Sequence, residues 1–225
     1  MKILAIETAT ECCSVALSID GELRERSALA PRGHGELLLP WVSELLAEGA
    51  VSLQDLDALA FSRGPGSFTS LRIGIGVTQG LAWGAEIPVV PISSLQSTAQ
   101  VAAQKGVEAA IVALDARMNE VYSGAFRLDD QQLMQAVGKE TVCAPEQIAA
   151  PDDGAWSGVG NGFTRYPELS AFAKGLNSLH AETWPSAAAM VALATHWMKR
   201  NTPLPAEQAQ PVYLRDKVAR KPASA

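Results

Sequence analysis

A glycine-rich segment that follows an apolar stretch is the part of this chain best suited to bind an anion. Residues 56–61 are apolar except for Asp57, and residues 62–74 read Ser-Arg-Gly-Pro-Gly-Ser-Phe-Thr-Ser-Leu-Arg-Ile-Gly. The pattern predicts a strand that ends in a Gly-Pro-Gly turn and continues into a helix. Backbone N–H groups at such a junction point outward, and the helix dipole favours negative charge. We therefore predict an anion-binding turn at Gly64, Gly66 and Ser67.

The same segment matches neither of the common phosphate-binding signatures. It lacks the Gly-Lys-Ser/Thr ending of a P-loop, and Thr69 takes the position of the third glycine in a dinucleotide fingerprint. The turn therefore lacks the lysine with which a P-loop holds a terminal phosphate.

The hydroxyl side chains of this segment lack a partner that would activate one of them as a nucleophile. No histidine or lysine lies near Ser62, Ser67 or Thr69 in the sequence, and no Gly-x-Ser-x-Gly elbow occurs. Thr69 or Ser70 is better suited to cap the following helix. We therefore predict no catalytic residue.

The three histidines do not have the spacing of metal ligands. Two imidazoles one helical turn apart can bind one ion, but the residue four positions after His34 is Leu38. His180 and His196 lie far away in the sequence, and neither has a histidine partner at helical spacing. We predict no metal site and interpret His34 as a polar residue at a helix N-terminus.

The composition is that of an acidic globular protein. A net charge of −6 disfavours direct binding of nucleic acid, because phosphate contacts need lysine and arginine. No apolar run reaches the ~18 residues that a membrane span needs, and no signal peptide opens the sequence. The cysteines are Cys12, Cys13 and Cys143, an odd number that favours reduced thiols. We expect a cytoplasmic protein without membrane association.

The predicted strands and helices that position these residues form two groups, one before and one after about residue 105. Before that point the pattern predicts the order βββαβαβα, an antiparallel start followed by parallel crossovers. The predicted strands are 2–6, 13–19, 22–28, 56–61 and 88–92, and the predicted helices are 36–47, one ending at about 83 and one ending at 103. The second half has predicted strands at 110–114 and 121–126, a strand that leads into a second glycine-rich turn at 155–162, a helix at 186–199 and a tail rich in proline. We predict an α/β fold with two lobes, 1–105 and 106–225.

The first predicted helix, 36–47, is apolar over an unusually wide arc. Its apolar residues are Leu37, Leu38, Leu39, Trp41, Val42, Leu45 and Leu46. At 100° per residue they cover roughly 200°, whereas packing on one core needs a stripe of about 100°. Either part of this arc binds a partner or the helix is deeply buried.

The helix after the glycine-rich turn has a second unusual surface. Arg72, Gly76, Gly80 and Gly84 recur at intervals of four residues, beside the apolar row Ile73, Val77 and Leu81. Each glycine inside a helix costs about 1 kcal/mol relative to alanine. Such a smooth ridge lets another backbone approach closely, and that backbone belongs either to this chain's own sheet or to another subunit.

Together the two helices favour a helix-on-helix interface with another subunit. We predict a partner interface formed by His34, Leu37, Leu38, Trp41, Val42, Leu45, Arg72, Ile73, Gly76, Val77 and Gly80.

Each half of the chain opens with a strand, an acidic polar turn and a second strand, and the two turns are 7–11 and 115–120. This faint repeat resembles the actin-like ATPase superfamily of sugar kinases and chaperone ATPases. Within that superfamily, the chain resembles the bacterial TsaB (YeaZ) family. The matching stretches are 3–10, 13–17, 34–40, 64–76, 115–117 with 120–122, and 211–215.

The resemblance implies two lobes of the actin-like (ribonuclease-H-like) type and a function in tRNA modification. TsaB proteins are non-catalytic accessory subunits in making threonylcarbamoyl-adenosine next to the anticodon. The catalytic relative TsaD performs the transfer, and the ATPase TsaE joins the two. The resemblance therefore implies TsaD and TsaE as partners, a homodimer when the protein is alone, and only indirect contact with tRNA.

The resemblance also implies a relic nucleotide cleft at Glu7, Thr8 and Asp115, because actin-like kinases keep their magnesium-organising acids in these turns. The family typically carries aspartate where this chain has Glu7. The other interpretation is that these are ordinary turn carboxylates that accept backbone hydrogen bonds. The resemblance implies that no cofactor is required. The alternative is that ATP or ADP binds at a subunit interface. The alternative function is that of a stand-alone actin-like small-molecule kinase or ATPase.

Overall fold

The computed structural model describes residues 1–215 and contains two mixed β-sheets. The first sheet consists of β1 (Lys2–Glu7), β2 (Cys12–Ile19), β3 (Glu22–Leu29), β4 (Ala58–Gly64) and β5 (Val89–Ser93). Its strand order is β3-β2-β1-β4-β5. The central strand β1 is buried on both faces, which explains its continuous apolar run.

The first three strands of this sheet form an antiparallel meander. Asp20 and Gly21 connect β2 to β3 with φ values of 49° and 96°, the conformation that a two-residue hairpin turn needs. β4 then pairs with β1 in parallel, and β5 pairs with β4 in parallel. The predicted antiparallel start followed by parallel crossovers is confirmed.

The second sheet repeats part of this plan, with two long hairpin strands and four strands of three residues each. It consists of β6 (Ala109–Asp115), β7 (Val121–Leu128), β8 (Met134–Ala136), β9 (Thr141–Cys143), β10 (Ser157–Val159) and β11 (Ser178–His180). Its order is β11-β10-β6-β7-β8, and β9 also pairs with β7. β6 and β7 form an antiparallel hairpin as β1 and β2 do, and β10 joins β6 in parallel as β4 joins β1. The repeat read from the sequence is therefore present in the fold.

The helices cover the faces of these sheets. They are α1 (His34–Glu48), α2 (Phe68–Ala85), α3 (Ser94–Ala103), α4 (Gly162–Arg165), α5 (Ser170–Ala173) and α6 (Ala187–Met198). α1 and α2 pack on one face of the first sheet, where Leu38 and Ile75 join Leu4 in the core. α3 packs on the second sheet, and Leu95 lies in one cluster with Val112. The α/β class with two lobes is confirmed. No helix within residues 1–215 has both the length and the apolar character to cross a bilayer.

The last helix returns to the first lobe. Met190 and Ala194 of α6 lie in one apolar cluster with Ile3 and Ala5 of β1, on the face opposite α1 and α2. Further along, Ala206 packs into the core beneath α1 and α2. The second apolar face of the first sheet is therefore covered by the end of the chain, and the division into lobes 1–105 and 106–225 stays a prediction.

Candidate partner-binding face and interlobe cleft

The glycines of α2 fall into two groups that the sequence alone does not separate. Gly76, Gly80 and Gly84 are exposed, and a Cβ atom placed on any of them would meet nothing within 4 Å. A Cβ atom on Gly74, by contrast, would lie 2.2 Å from Thr8 Oγ1. Gly74 is therefore needed for packing inside the chain, whereas nothing in residues 1–215 requires glycine at the three exposed positions.

Two of the exposed glycines, Gly76 and Gly80, form the floor of a shallow groove of about 440 Å³. Its lining residues are Gly76, Gln79, Gly80, Trp83, Ala206 and Glu207. The Trp83 side chain forms one wall and is 69% exposed. We call the exposed row Arg72, Gly76, Gly80, Trp83 and Gly84 the glycine face. An apolar ring beside a backbone without side chains is a surface that a partner helix can approach closely.

Trp83 is a residue of this face that the sequence analysis does not select. It follows Gly80 by three positions, so it lies on the same side of the helix. That spacing is the signal that could have identified it.

The interface prediction needs correction in α1. His34, Leu38, Val42 and Leu45 are buried, and the three apolar ones lie in the core of the first lobe. They are not available to a partner because the first sheet and α2 already cover them. Most of the wide apolar arc of α1 therefore faces the core of this chain, in agreement with the alternative that the helix is deeply buried.

The other predicted interface residues are partly or fully accessible. Leu37, Trp41, Ile73 and Val77 are half-buried and pack against the same core, and Arg72 is exposed. Leu39 on the outer side of α1 is also exposed. The surface that remains for a partner therefore centres on α2 and borders the outer side of α1.

His34 is held inside the chain. Its Nε2 atom lies 3.0 Å from the carbonyl oxygen of Thr10, and burial lowers the pKa of the imidazole below its usual value. No group of three histidine, cysteine, aspartate or glutamate side chains with metal-binding geometry occurs within residues 1–215. His34 thus tethers α1 to the turn after β1.

A cleft of about 590 Å³ lies between the two hairpin turns. Thr10 and Glu11 line it from the first turn, and Asp115 and Arg117 line it from the second. Arg117 Nη2 lies 2.9 Å from Glu11 Oε1, so an ion pair joins the two turns across the cleft. Asp115 therefore lies at the cleft that the sequence analysis predicts.

The Asp115 carboxylate is already fully engaged by groups of the protein. Oδ1 accepts hydrogen bonds from the Arg117 N–H (2.8 Å) and the Tyr166 hydroxyl (2.6 Å). Oδ2 lies 3.2 Å from Arg117 Nη1 and 3.7 Å from Arg165 Nε. The pKa of Tyr166 is raised to about 12, mainly by burial and to a smaller extent by the hydrogen bond to Asp115, so the phenol remains a donor.

Glu7 does not line the cleft and is completely buried at the end of β1. The Ala9 N–H donates to Oε1 at 2.6 Å, and Oε2 has no hydrogen-bond partner among the described residues. Burial raises the pKa of this carboxyl to about 7, although the bond from Ala9 lowers it in part. Thr8 is also buried, against Gly74.

These acids do not fit the metal-bound nucleotide that an actin-like cleft implies. One is buried away from the cleft with its pKa raised to about 7, and the other is neutralised by two arginines. A divalent cation would need oxygen ligands that are free and negatively charged. Of the two interpretations given in the sequence analysis, Glu7 and Asp115 fit the second, in which ordinary turn carboxylates accept hydrogen bonds from the backbone of their own turns.

The predicted anion-binding turn also makes contacts within the chain. The Ser67 N–H donates to the Ala9 carbonyl oxygen at 2.7 Å, and a Cβ atom on Gly66 would lie 2.2 Å from that same oxygen. Gly64 is buried with a φ of +94°. The glycines therefore let this turn pack on the first hairpin turn, and the Ser67 amide is not free for an anion.

Two lobes that each open with a hairpin, with both hairpin turns facing a shared cleft, define the class of actin-like ATPase folds. A solved structure entitled "YeaZ from Pseudomonas aeruginosa" has this fold, with a TM-score of 0.87 and 41% identity over 95% of this chain and 99% of that chain.

Sequence comparison identifies the particular family. The chain is 42% identical to the "tRNA threonylcarbamoyladenosine biosynthesis protein TsaB" of Escherichia coli (strain K12), over 98% of this chain and 97% of the relative. It is 40% identical to the protein of the same name from Haemophilus influenzae, over 98% and 96%. A family model described as "TsaD: tRNA N6-adenosine threonylcarbamoyltransferase" matches residues 28–222. The chain belongs to the TsaB (YeaZ) family.

Proposed function

We propose that this protein is a non-catalytic accessory subunit for the threonylcarbamoyl-adenosine modification of tRNA in the cytoplasm. It pairs through its glycine face with the catalytic subunit TsaD, and the ATPase TsaE joins the pair. The observation that carries this proposal is the row Gly76, Gly80 and Gly84, at which a side chain would meet nothing within the chain.

The energetic cost of these glycines supports pairing with another helix. Each interior glycine lowers helix stability by about 1 kcal/mol relative to alanine. No contact within residues 1–215 offsets this cost, since the space above each Cβ position is open. A partner backbone that approaches closely offsets it through contacts made only in the complex.

Trp83 supplies the anchor that such an interface needs. A large aromatic ring at the edge of a groove is typical of the residues that dominate binding energy. The side chain is 69% exposed, so most of its apolar surface is available to a partner. The ring therefore supports a partner that covers Gly80 and the groove beside it.

The state of the two hairpin acids supports a role without chemistry. Asp115 is engaged by Arg117 and Arg165, and Glu7 is buried away from the cleft. A kinase or ATPase acting alone would need free carboxylates for its cation. The catalytic step and most of the tRNA contacts are therefore assigned to TsaD, which also fits the acidic charge of this chain.

One exposed face for two partners implies competition. A homodimer built on the glycine face buries the same residues as the pairing with TsaD, so the two assemblies exclude each other. The homodimer is then the form of the protein when TsaD is absent.

The test is a reconstituted tRNA modification assay with TsaD and TsaE. Gly80→Leu places a branched side chain on the groove floor and keeps the helix backbones apart. We expect modification to fall at least about tenfold, which corresponds to about 1.4 kcal/mol of lost pairing.

The matched control is Ala192→Leu, which adds the same side chain at an exposed helical position on the opposite side of the first sheet. It should leave modification unchanged. Full modification with a folded Gly80→Leu protein would show that the glycine face is not the pairing surface. Full modification without this chain would contradict the accessory function itself.

A further inference from the structure

The segment 211–215 runs from the first lobe to the second along the interlobe cleft, and we call it the strap. At its first end, the Val212 N–H donates to the Arg63 carbonyl oxygen at 2.7 Å. The Val212 carbonyl oxygen lies so near Gly64 that a Cβ atom there would be 3.2 Å away. The strap is thus fixed to the end of β4, beside the turn that leads into α2.

The middle of the strap is bound by the first turn of α2. The Tyr213 ring stacks on Phe68, with 5.6 Å between the ring centroids and 29° between the planes. Arg72 Nε donates to the Tyr213 hydroxyl at 3.1 Å, and the Arg72 guanidinium lies 4.1 Å from the Phe68 centroid. Because Arg72 is part of the glycine face, the strap directly contacts that face.

The far end of the strap binds a loop of the second lobe. Arg215 Nη2 donates to the carbonyl oxygens of Ala116 (3.1 Å) and Arg117 (3.4 Å), and it also contacts the Glu120 carboxylate. These acceptors all belong to the turn between β6 and β7, which lines the cleft. One guanidinium therefore binds three groups of a single loop.

This loop has an unfavourable backbone. Arg117, Met118 and Asn119 have φ values of 60°, 56° and 58°, three consecutive non-glycine residues in the left-handed region. L-residues enter this region at an energetic cost and normally one at a time. A conformation of this kind persists only where surrounding contacts hold it, and Arg215 supplies contacts at both its start and its end.

We propose that the strap is an intrachain latch that holds the left-handed loop in place and connects the glycine face to the cleft. Arg215 stabilises the loop, Tyr213 and Val212 fix the strap to the first lobe, and Arg72 joins the strap to the glycine face. The conformation of the cleft therefore depends on contacts that begin at the surface of α2. Releasing the strap relaxes the loop and the cleft wall that it forms.

Amide hydrogen exchange on the full-length protein, at a concentration where the chain is monomeric, tests this proposal without any partner, so its failure is distinct from a failure of the proposed pairing with TsaD. The reporters are the Ala116 N–H, which donates to the Glu120 carbonyl oxygen at 3.0 Å, and the Glu120 N–H, which donates to the Arg117 carbonyl oxygen at 3.1 Å. In Arg215→Ala we expect both to exchange about tenfold faster or more. Amides of β1 serve as the internal reference and should not change.

Two milder variants separate the contacts of the strap. Tyr213→Phe keeps the ring stack and removes only the acceptor of the Arg72 hydrogen bond, and Arg72→Ala removes the donor. Both should accelerate exchange in the loop by a smaller factor than Arg215→Ala. Gln210→Ala, at an exposed position just before the strap, is the control and should leave the loop unchanged.

The outcomes are decisive in both directions. Unchanged loop exchange in Arg215→Ala would overturn the latch. An increase of equal size in β1 would also overturn it, because the strap would then be a general part of the fold. Wild-type loop exchange in both Tyr213→Phe and Arg72→Ala would overturn the connection to the glycine face.

Discussion

Gly74 of α2 lies against Thr8 of the first hairpin turn so closely that a Cβ atom on the glycine would be 2.2 Å from Thr8 Oγ1. Two residues further along the helix, a Cβ atom on Gly76 would meet nothing within 4 Å. The helix therefore uses the same residue type for two purposes. Gly74 lets the helix approach its own sheet, and Gly76 leaves room outside the chain.

The first prediction is that alanine has opposite effects at these two kinds of glycine. Gly74→Ala should lower the free energy of unfolding by about 2 kcal/mol or more, because the new methyl group overlaps Thr8. Gly76→Ala and Gly80→Ala should each raise it by about 0.5–1 kcal/mol, because they remove flexibility from an open helical site. Urea denaturation measures all three, at a protein concentration where the chain is monomeric. A loss of stability in the monomeric Gly80→Ala protein would contradict the assignment of that glycine to an external contact.

The second prediction concerns self-association of the isolated protein. We expect a homodimer at micromolar concentration, which Gly76→Leu and Trp83→Ala each weaken at least about tenfold because one fills the groove and the other removes its wall. Sedimentation velocity over a range of concentrations measures the dissociation constant. Ala192→Leu is again the control on the opposite side of the sheet. A monomeric wild-type protein, or dimers unaffected by both substitutions, would argue against the shared face.

The third prediction is a pH dependence of stability that originates at Glu7. Its pKa rises from 4.5 to about 7 on folding, so the folded state binds the proton more tightly than the unfolded state. The contribution of this group to stability is complete below about pH 4.5 and is lost as the pH rises to about 7, by about 3 kcal/mol in total.

Glu7→Gln tests this pH dependence, because glutamine resembles the protonated carboxyl. The difference in unfolding free energy between the variant and the wild type should grow in favour of the variant from pH 4.5 to pH 7.5. Taking the difference removes the contribution of the other acids. Glu108→Gln at an exposed site should show no such trend. A difference that is constant with pH would mean that the folded Glu7 titrates normally.

The fourth prediction is that the isolated chain does not turn over ATP in the presence of Mg²⁺. Asp115 is held by Arg117 and Arg165, and Glu7 is buried away from the cleft, so neither offers the cation an oxygen that is both accessible and unpaired. Phosphate release should equal the buffer blank. Turnover above the blank that disappears in Asp115→Ala would support the stand-alone kinase or ATPase instead.

Much of the fold can be predicted from the sequence because its signals are local. The Asp20-Gly21 turn identifies the hairpin of β2 and β3, and the glycine-rich segment identifies the junction of β4 and α2. The short strands β8, β9 and β11 are not predicted, because three residues are too few to show an alternating pattern. β10 is equally short, but the glycine-rich turn that follows it indicates a strand end. The return of α6 to the first sheet is also missed, since its apolar surface does not indicate which sheet it covers.

The candidate site is predictable only where spacing determines exposure. The interval of four places Arg72, Gly76 and Gly80 on one side of α2, and these residues are exposed as the interface prediction requires. The apolar arc of α1 is misleading, because Leu38 and Val42 pack inward on a core that the sequence does not display. Whether a glycine accommodates the chain's own backbone or an external one depends on the residue opposite it, which only the three-dimensional structure provides.

The position of α6 has a consequence for how the protein is made. The ribosome releases β1 to β5 about 100 residues before α6, which covers the apolar face formed in part by Ile3 and Ala5. The first lobe therefore completes its core only after Met198 has left the exit tunnel. A nascent chain from which α6 has not yet emerged exposes that face to chaperones, although every strand of the second sheet precedes α6 in the chain. Folding of this protein therefore finishes at its first lobe.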